Sequence, residues 1–335
     1  MLPPKPSPEA ELRVQAKPRA GWVNAIRNPT GVGVLLAFYI LMLVAFSILS
    51  PYFLSTQNFL SIGTNMAYIG LMAGTQTLLI IAGGLDMSVA SVAGISGVLL
   101  TLLIRAGLNI WLGGLVSLVA GGLIGYLNSI SVTRIRINPL IATLGMLNIV
   151  EGIALVLTGG LSRSMSDAGF SFLGSGRVLG LPMPVILVIL TYIALYWLLS
   201  TTRFGRFVYA TGGNLEASRL AGVPVNSVLT RLFMLSGVSG ALAGLILVAM
   251  LGASTATTAS SSLLTVIASV ILGGTSLAGG RGSVWGTLLA VLILGTLNNG
   301  LVLLNVSSFW QSVTQGIVLL LAVGLDQLRT RVLGD

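Results

Sequence analysis

Crossing a bilayer as a helix takes about 20 mostly apolar residues. The chain carries ten such runs, at 31–49, 61–82, 84–104, 110–131, 139–158, 182–200, 232–251, 263–280, 284–304 and 309–326. The second and third nearly touch at Gly83–Gly84. Two connections are long. Residues 159–181 (GGLSRSMSDAGFSFLGSGRVLGL) are polar and glycine-rich, and residues 201–231 contain GGNLEASRLAGVP at 212–224, a polar stretch of helix-like pattern. The pattern predicts an all-α, polytopic membrane protein of about ten transmembrane helices. Residues 28–328 form its transmembrane domain. Residues 1–27 read as a poorly ordered, proline-rich tail without the short apolar core and cleavage site of a signal peptide, and 329–335 as a C-terminal tail.

The basic residues set an orientation, because lysine and arginine accumulate on cytoplasmic connections. With the N-terminus inside and ten alternating spans, fourteen cations fall on the cytoplasmic side: Lys5, Arg13, Lys17, Arg19, Arg27, Arg134, Arg136, Arg203, Arg206, Arg219, Arg231, Arg281, Arg329 and Arg331. Only Arg105, Arg163 and Arg177 fall outside. Both termini and the 201–231 loop are therefore expected in the cytoplasm. Two echoes hint at duplication: GTLNNG at 295–300 with GYLNSI at 125–130, and LLIIAGGLDMS at 78–88 with SVILGGTSL at 269–277. Five spans per half would give opposite topology, the plan of inverted-repeat transporters.

Composition supports this class. The 335 residues are 55% hydrophobic and 7% charged, with a mean hydropathy of +0.99, against about 25% charged in a soluble domain. The 43 glycines suit close helix packing in lipid. The absence of Cys and His removes thiol nucleophiles, imidazole bases and the usual zinc ligands, so no catalytic residue and no metal site are expected. Lysine occurs only at Lys5 and Lys17, which excludes a GxxxxGK[ST] phosphate loop. Any ATP must bind another chain. The net charge of +9 belongs to the cytoplasmic loops rather than to a nucleic-acid surface, since the cations are scattered among apolar spans.

The 212–224 stretch has the parts of a short helix. Asn214 suits an N-cap, Glu216 stands in the first turn where a carboxylate meets the positive helix end, Ala217 and Ala221 give one smooth face, and Gly222 and Pro224 end it. Such a helix can dock on a soluble partner and transmit motion. It can equally lie on the lipid surface with Arg203, Arg206 and Arg219 among headgroups.

The same residues resemble the EAA-type coupling loop of bacterial ABC importer permeases, whose core reads E-A-A-x-x-x-G. Glu216, Ala217 and Gly222 fit its spacing, and Ser218 replaces the second alanine. Longer stretches, GGLDMSVASVAGISG at 83–97 and the segment 273–323, resemble permeases of ribose-type monosaccharide ABC importers in the wider branched-chain amino acid/sugar permease class. The resemblance implies a multi-pass subunit of the bacterial inner membrane, paired as a homodimer or heterodimer. It implies ATPase subunits carrying ATP and Mg below, and a periplasmic sugar-binding protein above. It also implies a coupling site at Gly213, Asn214, Glu216, Ala217, Arg219 and Gly222. This chain would hold no cofactor and catalyse no reaction.

Polar residues inside spans are costly and thus functional candidates. Asp86 is either a pin for a helix break along the pathway or a cap for the third span, accepting from backbone N–H groups from Met87 onward. Asn298 and Asn299 suit sugar hydroxyls as donor–acceptor amides, or join helices through hydrogen bonds. Gln76, Asn65 and Asn148 pose the same alternatives with less weight. Glu151 faces either the pathway or the outer interface. A carboxylate in a span keeps a rival function in view, an ion-coupled secondary transporter. A membrane enzyme finds no paired carboxylates on one helix face.

Overall fold

Capping residues set the helix starts. The computed structural model describes residues 29–165, 167–318 and 320; both predicted tails lie outside them. Helix α1 spans Pro29–Leu49. Ser55 opens α2, Thr56–Ile81, by accepting from the Asn58 N–H. Helix α3 is Val89–Arg105. Asn109 caps α4, Ile110–Thr133, and Asn138, followed by a proline that suits the first helical position, caps α5, Pro139–Thr158. Next come β1 (Arg163–Ser164), α6 (Ala168–Ser175), β2 (Arg177–Val178), β3 (Leu181–Pro182) and α7 (Met183–Thr201). Helices α8 (Arg203–Gly213), α9 (Leu215–Leu220) and α10 (Val225–Leu251) follow in close succession. After β4 (Ala253–Ser254) and a 3-10 turn at Ser260–Ser262 come α11 (Leu263–Leu272) and α12 (Val284–Leu303). Residues 308–318 are helical, and we call them α13; the rest of the predicted tenth run lies largely outside the described residues.

The protein is thus an all-α membrane fold with two short antiparallel pairings. Arg163 pairs with Ser254 in one, and Arg177 with Pro182 in the other. Among the described residues five helices, α4, α5, α7, α10 and α12, are long and apolar enough to cross a membrane. Three of the remaining runs depart from the simple span pattern for physical reasons. Helix α2 has 26 residues but carries Asn, Gln and Thr, because most of it is buried in protein rather than lipid. The run at 84–104 begins as coil and turn, and its helix starts only at Val89. The run at 263–280 is helical for ten residues only and ends at Gly273, about 15 Å of helix at 1.5 Å per residue. It is half a span. The polar connection 159–181 holds β1, α6 and one hairpin strand, and the 201–231 loop holds two helices where one was expected. Helix α10 starts at Val225, seven positions before the run at 232.

Helix α10 is the hub, packed against α4, α3 and α2. Backbones meet directly there. A Cβ on Gly125 of α4 would lie 2.2 Å from the Phe233 carbonyl oxygen of α10, and one on Gly237 would lie 2.0 Å from the Gly121 oxygen. Around this contact the largest buried cluster gathers Leu71, Leu78, Tyr192, Val208, Leu232 and Phe233 from α2, α7, α8 and α10. Helix α8 is therefore anchored in the core, while α5 leaves most of its surface to its surroundings.

Candidate functional site

Two regions hold the residues singled out above. The first is the α8–α9–α10 corner. Asn214 ends α8 and starts α9, its side chain accepting from the Ala217 N–H at 2.9 Å. Glu216 lies in the first turn of α9 and Arg219 in the last. Gly222, at φ +79°, turns the chain toward α10, a conformation that glycine adopts without penalty. Gly213, Asn214, Glu216, Ala217, Arg219 and Gly222 are all exposed, as is Leu220, at 90%. The face they form is open. The opposite face is fixed by Ser218, which is buried and donates through Oγ to the Ala210 carbonyl at 2.7 Å. The serine in place of the second alanine thus ties α9 to α8.

Helix α8 in turn sits on the end of α2 and on the AGGRG loop before α12. A Cβ on Gly212 would fall 1.7 Å from the Ile81 carbonyl oxygen and 2.6 Å from the Gly280 nitrogen, so only glycine fits. The Gly280 N–H donates to that same Ile81 oxygen at 2.8 Å. Tyr209 donates through its hydroxyl to the Gly282 carbonyl at 3.0 Å. Burial pushes its pKa up, which keeps it a neutral donor. Gly279, Gly280 and Gly282 of the AGGRG loop around Arg281 are thus packing elements against α8 and α2.

The second region is the interior beside the break at residues 82–88. Asp86 is fully buried. Its Oδ1 accepts from the Ser88 N–H at 2.9 Å, the Ser88 hydroxyl at 2.6 Å and Asn128 Nδ2 at 3.3 Å. Its Oδ2 accepts from the Ser236 hydroxyl of α10 at 2.7 Å. Asp86 accepts from a backbone N–H near the start of α3, and it also ties the break to Asn128 of α4 and Ser236 of α10. The Met87 N–H goes to Thr143 Oγ1 at 3.0 Å rather than to Asp86. The carboxylate is inside the protein.

The intramembrane amides do not act as one group. Asn299 donates through Nδ2 to Asn58 Oδ1 at 2.9 Å and so joins α12 to α2. Asn298, one residue earlier, turns about 100° away on the helix and lines a cavity of about 220 Å³ with Tyr68, Ser262, Thr265, Gln311 and Gln315. Its Oδ1 is buried without a hydrogen-bond partner among the described residues. Tyr68 and Ser262 share a hydrogen bond at 2.9 Å on the wall. Gln76 is fully buried and both its amide atoms lack a partner among the described residues. Such a group is expensive to hold dry. Glu151 accepts from the Ser260 hydroxyl at 3.1 Å and is half-buried; Asn65 and Asn148 are exposed.

Sequence reading missed Ser236, Ser88 and Asn128 around the carboxylate, and Gln311 and Gln315 at the cavity. The signal for Asn128 was present in the echo of GYLNSI with GTLNNG. Asn128 and Asn298 occupy the same place in it, and each has a buried Oδ1 without a partner among the described residues. The glycine three residues before each is pressed on a neighbour, Gly125 on Phe233 and Gly295 on Met66. The second echo also has a local counterpart. Gly83 and Gly274 both take positive φ just past a helix end, and each donates to the carbonyl three residues back, at 2.9 Å in both cases. No group of His, Cys, Asp or Glu among the described residues can hold a metal ion.

Comparison with known proteins adds the family. The chain is 40% identical over 301 residues to the ribose import permease protein RbsC of Bacillus subtilis (strain 168), covering 89% of this chain and 93% of that one. To the ribose import permease protein RbsC of Escherichia coli (strain K12) it is 38% identical, covering 87% and 92%. To the L-arabinose ABC transporter permease protein AraH of Azospirillum brasilense it is 34% identical, covering 98% and 96%. No solved structure matches. The family described as branched-chain amino acid transport system / permease component matches residues 58–323, which take in both regions described above, and the chain belongs to it.

Proposed function

We propose that this chain is the membrane permease of an ATP-driven importer for a monosaccharide, a ribose-like pentose or a related sugar. The observation that carries the reading is similarity to ribose and arabinose permeases over nearly the whole of each chain. The protein moves solute and makes or breaks no bond in it. ATP and Mg bind to a separate ATPase, in keeping with the missing phosphate-loop lysine. A periplasmic sugar-binding protein delivers the substrate, and a second permease copy, identical or not, completes the membrane part. The cation bias puts both termini and the α9 corner in the cytoplasm of a bacterial inner membrane.

The α9 corner is the ATPase docking site, with Gly213, Asn214, Glu216, Ala217, Arg219 and Gly222 on its open face. The pathway runs through the interior that holds Gln76, Asp86 and the cavity of Asn298, with Asn299 fixing one wall. That cavity is smaller than the roughly 300–1,000 Å³ of drug-sized sites and suits a small polyol. Weak amide and hydroxyl contacts serve there, because selection falls to the binding protein and a tight site would slow release. ATP binding closes the ATPases, the α9 helices follow, and the populations of inward- and outward-facing states shift.

The test is reconstitution in proteoliposomes with the partner ATPase and sugar-binding protein. Uptake of D-ribose or L-arabinose should survive a protonophore and stop when ATP is depleted. Uptake that collapses with the ion gradient and ignores ATP makes the protein a secondary transporter.

A further inference from the structure

We propose that motion of the coupling helix enters the bundle at one place, the break between α2 and α3 at residues 82–88, and that Gly212 and Ser236, with Asp86, are the positioning residues that deliver it. The inference rests on the permease reading and specifies how its docking site reaches its pathway.

Helix α9 has no slack on either side. One residue, Asn214, separates it from α8, and four residues, 221–224, separate it from α10. Both joints are hydrogen-bonded, Ser218 Oγ to the Ala210 carbonyl at 2.7 Å and the Val223 N–H to the Ser218 carbonyl at 2.9 Å. A push on α9 therefore moves α8 and α10 together.

Each of these helices grips the break or the residue just before it. Helix α8 brings Gly212 against the Ile81 carbonyl, the last of α2, with Gly280 clamped to the same oxygen. Helix α10 carries Ser236 roughly 16 Å along its axis from Val225 to Asp86 Oδ2. The two grips bracket residues 82–85, where Gly83 takes φ +83°. Between two well-packed helices, a short irregular segment with a glycine is where φ/ψ change is absorbed. Ser88 alone satisfies the local capping need of Asp86. The bond from Ser236 on another helix has no such local purpose, and a buried carboxylate in an apolar bundle is costly to keep. Asp86 fastens the break to α10 through Ser236, as it does to α4 through Asn128. Moving the break resets the start of α3, whose Val89 and Ala90 pack in one cluster with Met72 and Ala73 of α2 and Val266 and Val270 of α11.

The experiment uses the full complex of permease, ATPase and binding protein in proteoliposomes, with D-ribose and L-arabinose as probe sugars. Ser236→Ala should assemble with a lowered melting temperature, because one oxygen of a buried carboxylate loses its donor, and retain ATP hydrolysis stimulated by the binding protein. Its uptake per ATP should fall about threefold or more, the scale of a disturbed coupling element. Ser236→Thr keeps the hydroxyl and should restore the ratio. Gly212→Ala, whose Cβ would force the Ile81 carbonyl and Gly280 apart from α8, should lower both the ratio and the melting temperature. An unchanged ratio for Ser236→Ala in an assembled complex overturns the proposal. So does loss of assembly in both variants, which makes the contacts packing alone. A wild-type chain that binds no ATPase removes the permease reading and the proposal with it.

Discussion

Asn299 and Asn58 join α12 to the start of α2 through an Nδ2–Oδ1 hydrogen bond of 2.9 Å, while Asn298 next to it turns its amide to the cavity. Two adjacent residues of the same type thus have different work. One holds helices together, the other lines a cavity.

The split predicts opposite phenotypes. Asn299→Leu breaks an interhelical hydrogen bond, a loss of about 1 kcal/mol in a membrane bundle, and should lower the melting temperature of the purified protein with transport per folded molecule little changed. Asn298→Leu should leave the melting temperature near wild type and cut the maximal uptake rate. A thermal melt beside an uptake assay on each single variant separates them, and equal effects on both measurements would remove the distinction.

Close backbone contact at the hub predicts a graded response to added methyl groups. Gly125→Ala must displace the Phe233 carbonyl, which a new Cβ would approach to 2.2 Å. Overpacking of this kind costs about 1–3 kcal/mol, and expression and melting temperature should both fall. Gly145→Ala on α5 has nothing within 4 Å of the new atom and should be tolerated, with a small gain in helix propensity. The pair, measured side by side in detergent, reports packing rather than helix preference.

The serine in the coupling motif predicts a local defect. Ser218→Ala removes the hydrogen bond from Oγ to the Ala210 carbonyl, worth about 1 kcal/mol net, and leaves that oxygen to the ordinary helix-end contact from the Asn214 N–H. Hydrogen exchange of α9 amides should quicken while those of α10 stay protected. Exchange unchanged in α9 would mean that Asn214 capping holds the helix by itself.

Much of this fold was legible because its signals are local. Apolar runs of membrane length mark α4, α5, α7 and α12, and asparagine, serine and proline at their starts mark where they begin. What hid was set by distant packing. Helix α2 starts at Thr56, before the apolar run at 61, and no local pattern says that protein surrounds most of it. The half-length of α11 depends on Gly273 meeting the Gly286–Thr287 backbone, a contact between segments that the hydropathy of 263–280 does not register. At the candidate sites, Asp86 and Asn298 stood out as polar residues in apolar runs. Ser236 did not, since serine is ordinary in membrane helices, and its role depends on a partner 150 positions away. The α9 corner stood out as a polar helix, yet the second helix before it was hidden by RFGRFVYATGG, whose mixed character reads as loop until Val208 and Thr211 are seen buried.

The open face of α9 carries the last prediction. Leu220 is 90% exposed and Leu215 is 40% exposed, on a helix that also presents Glu216 and Arg219. A leucine held outward beside charges, on a helix fastened from behind by Ser218, is suited to a pocket on a partner, where a central apolar anchor often costs about 2 kcal/mol or more to remove. Leu220→Asp should therefore weaken ATPase binding by roughly thirtyfold, at 1.4 kcal/mol per factor of ten, and should leave the melting temperature of the isolated permease unchanged, because no buried contact is lost. Glu216→Arg should act similarly through charge, and should respond to ionic strength, as exposed charge pairs do; the leucine variant should not. Binding titrations at low and high salt tell the two apart. If both variants bind the ATPase at wild-type strength, α9 lies against lipid headgroups instead, and the docking site must be sought elsewhere on that end of the bundle.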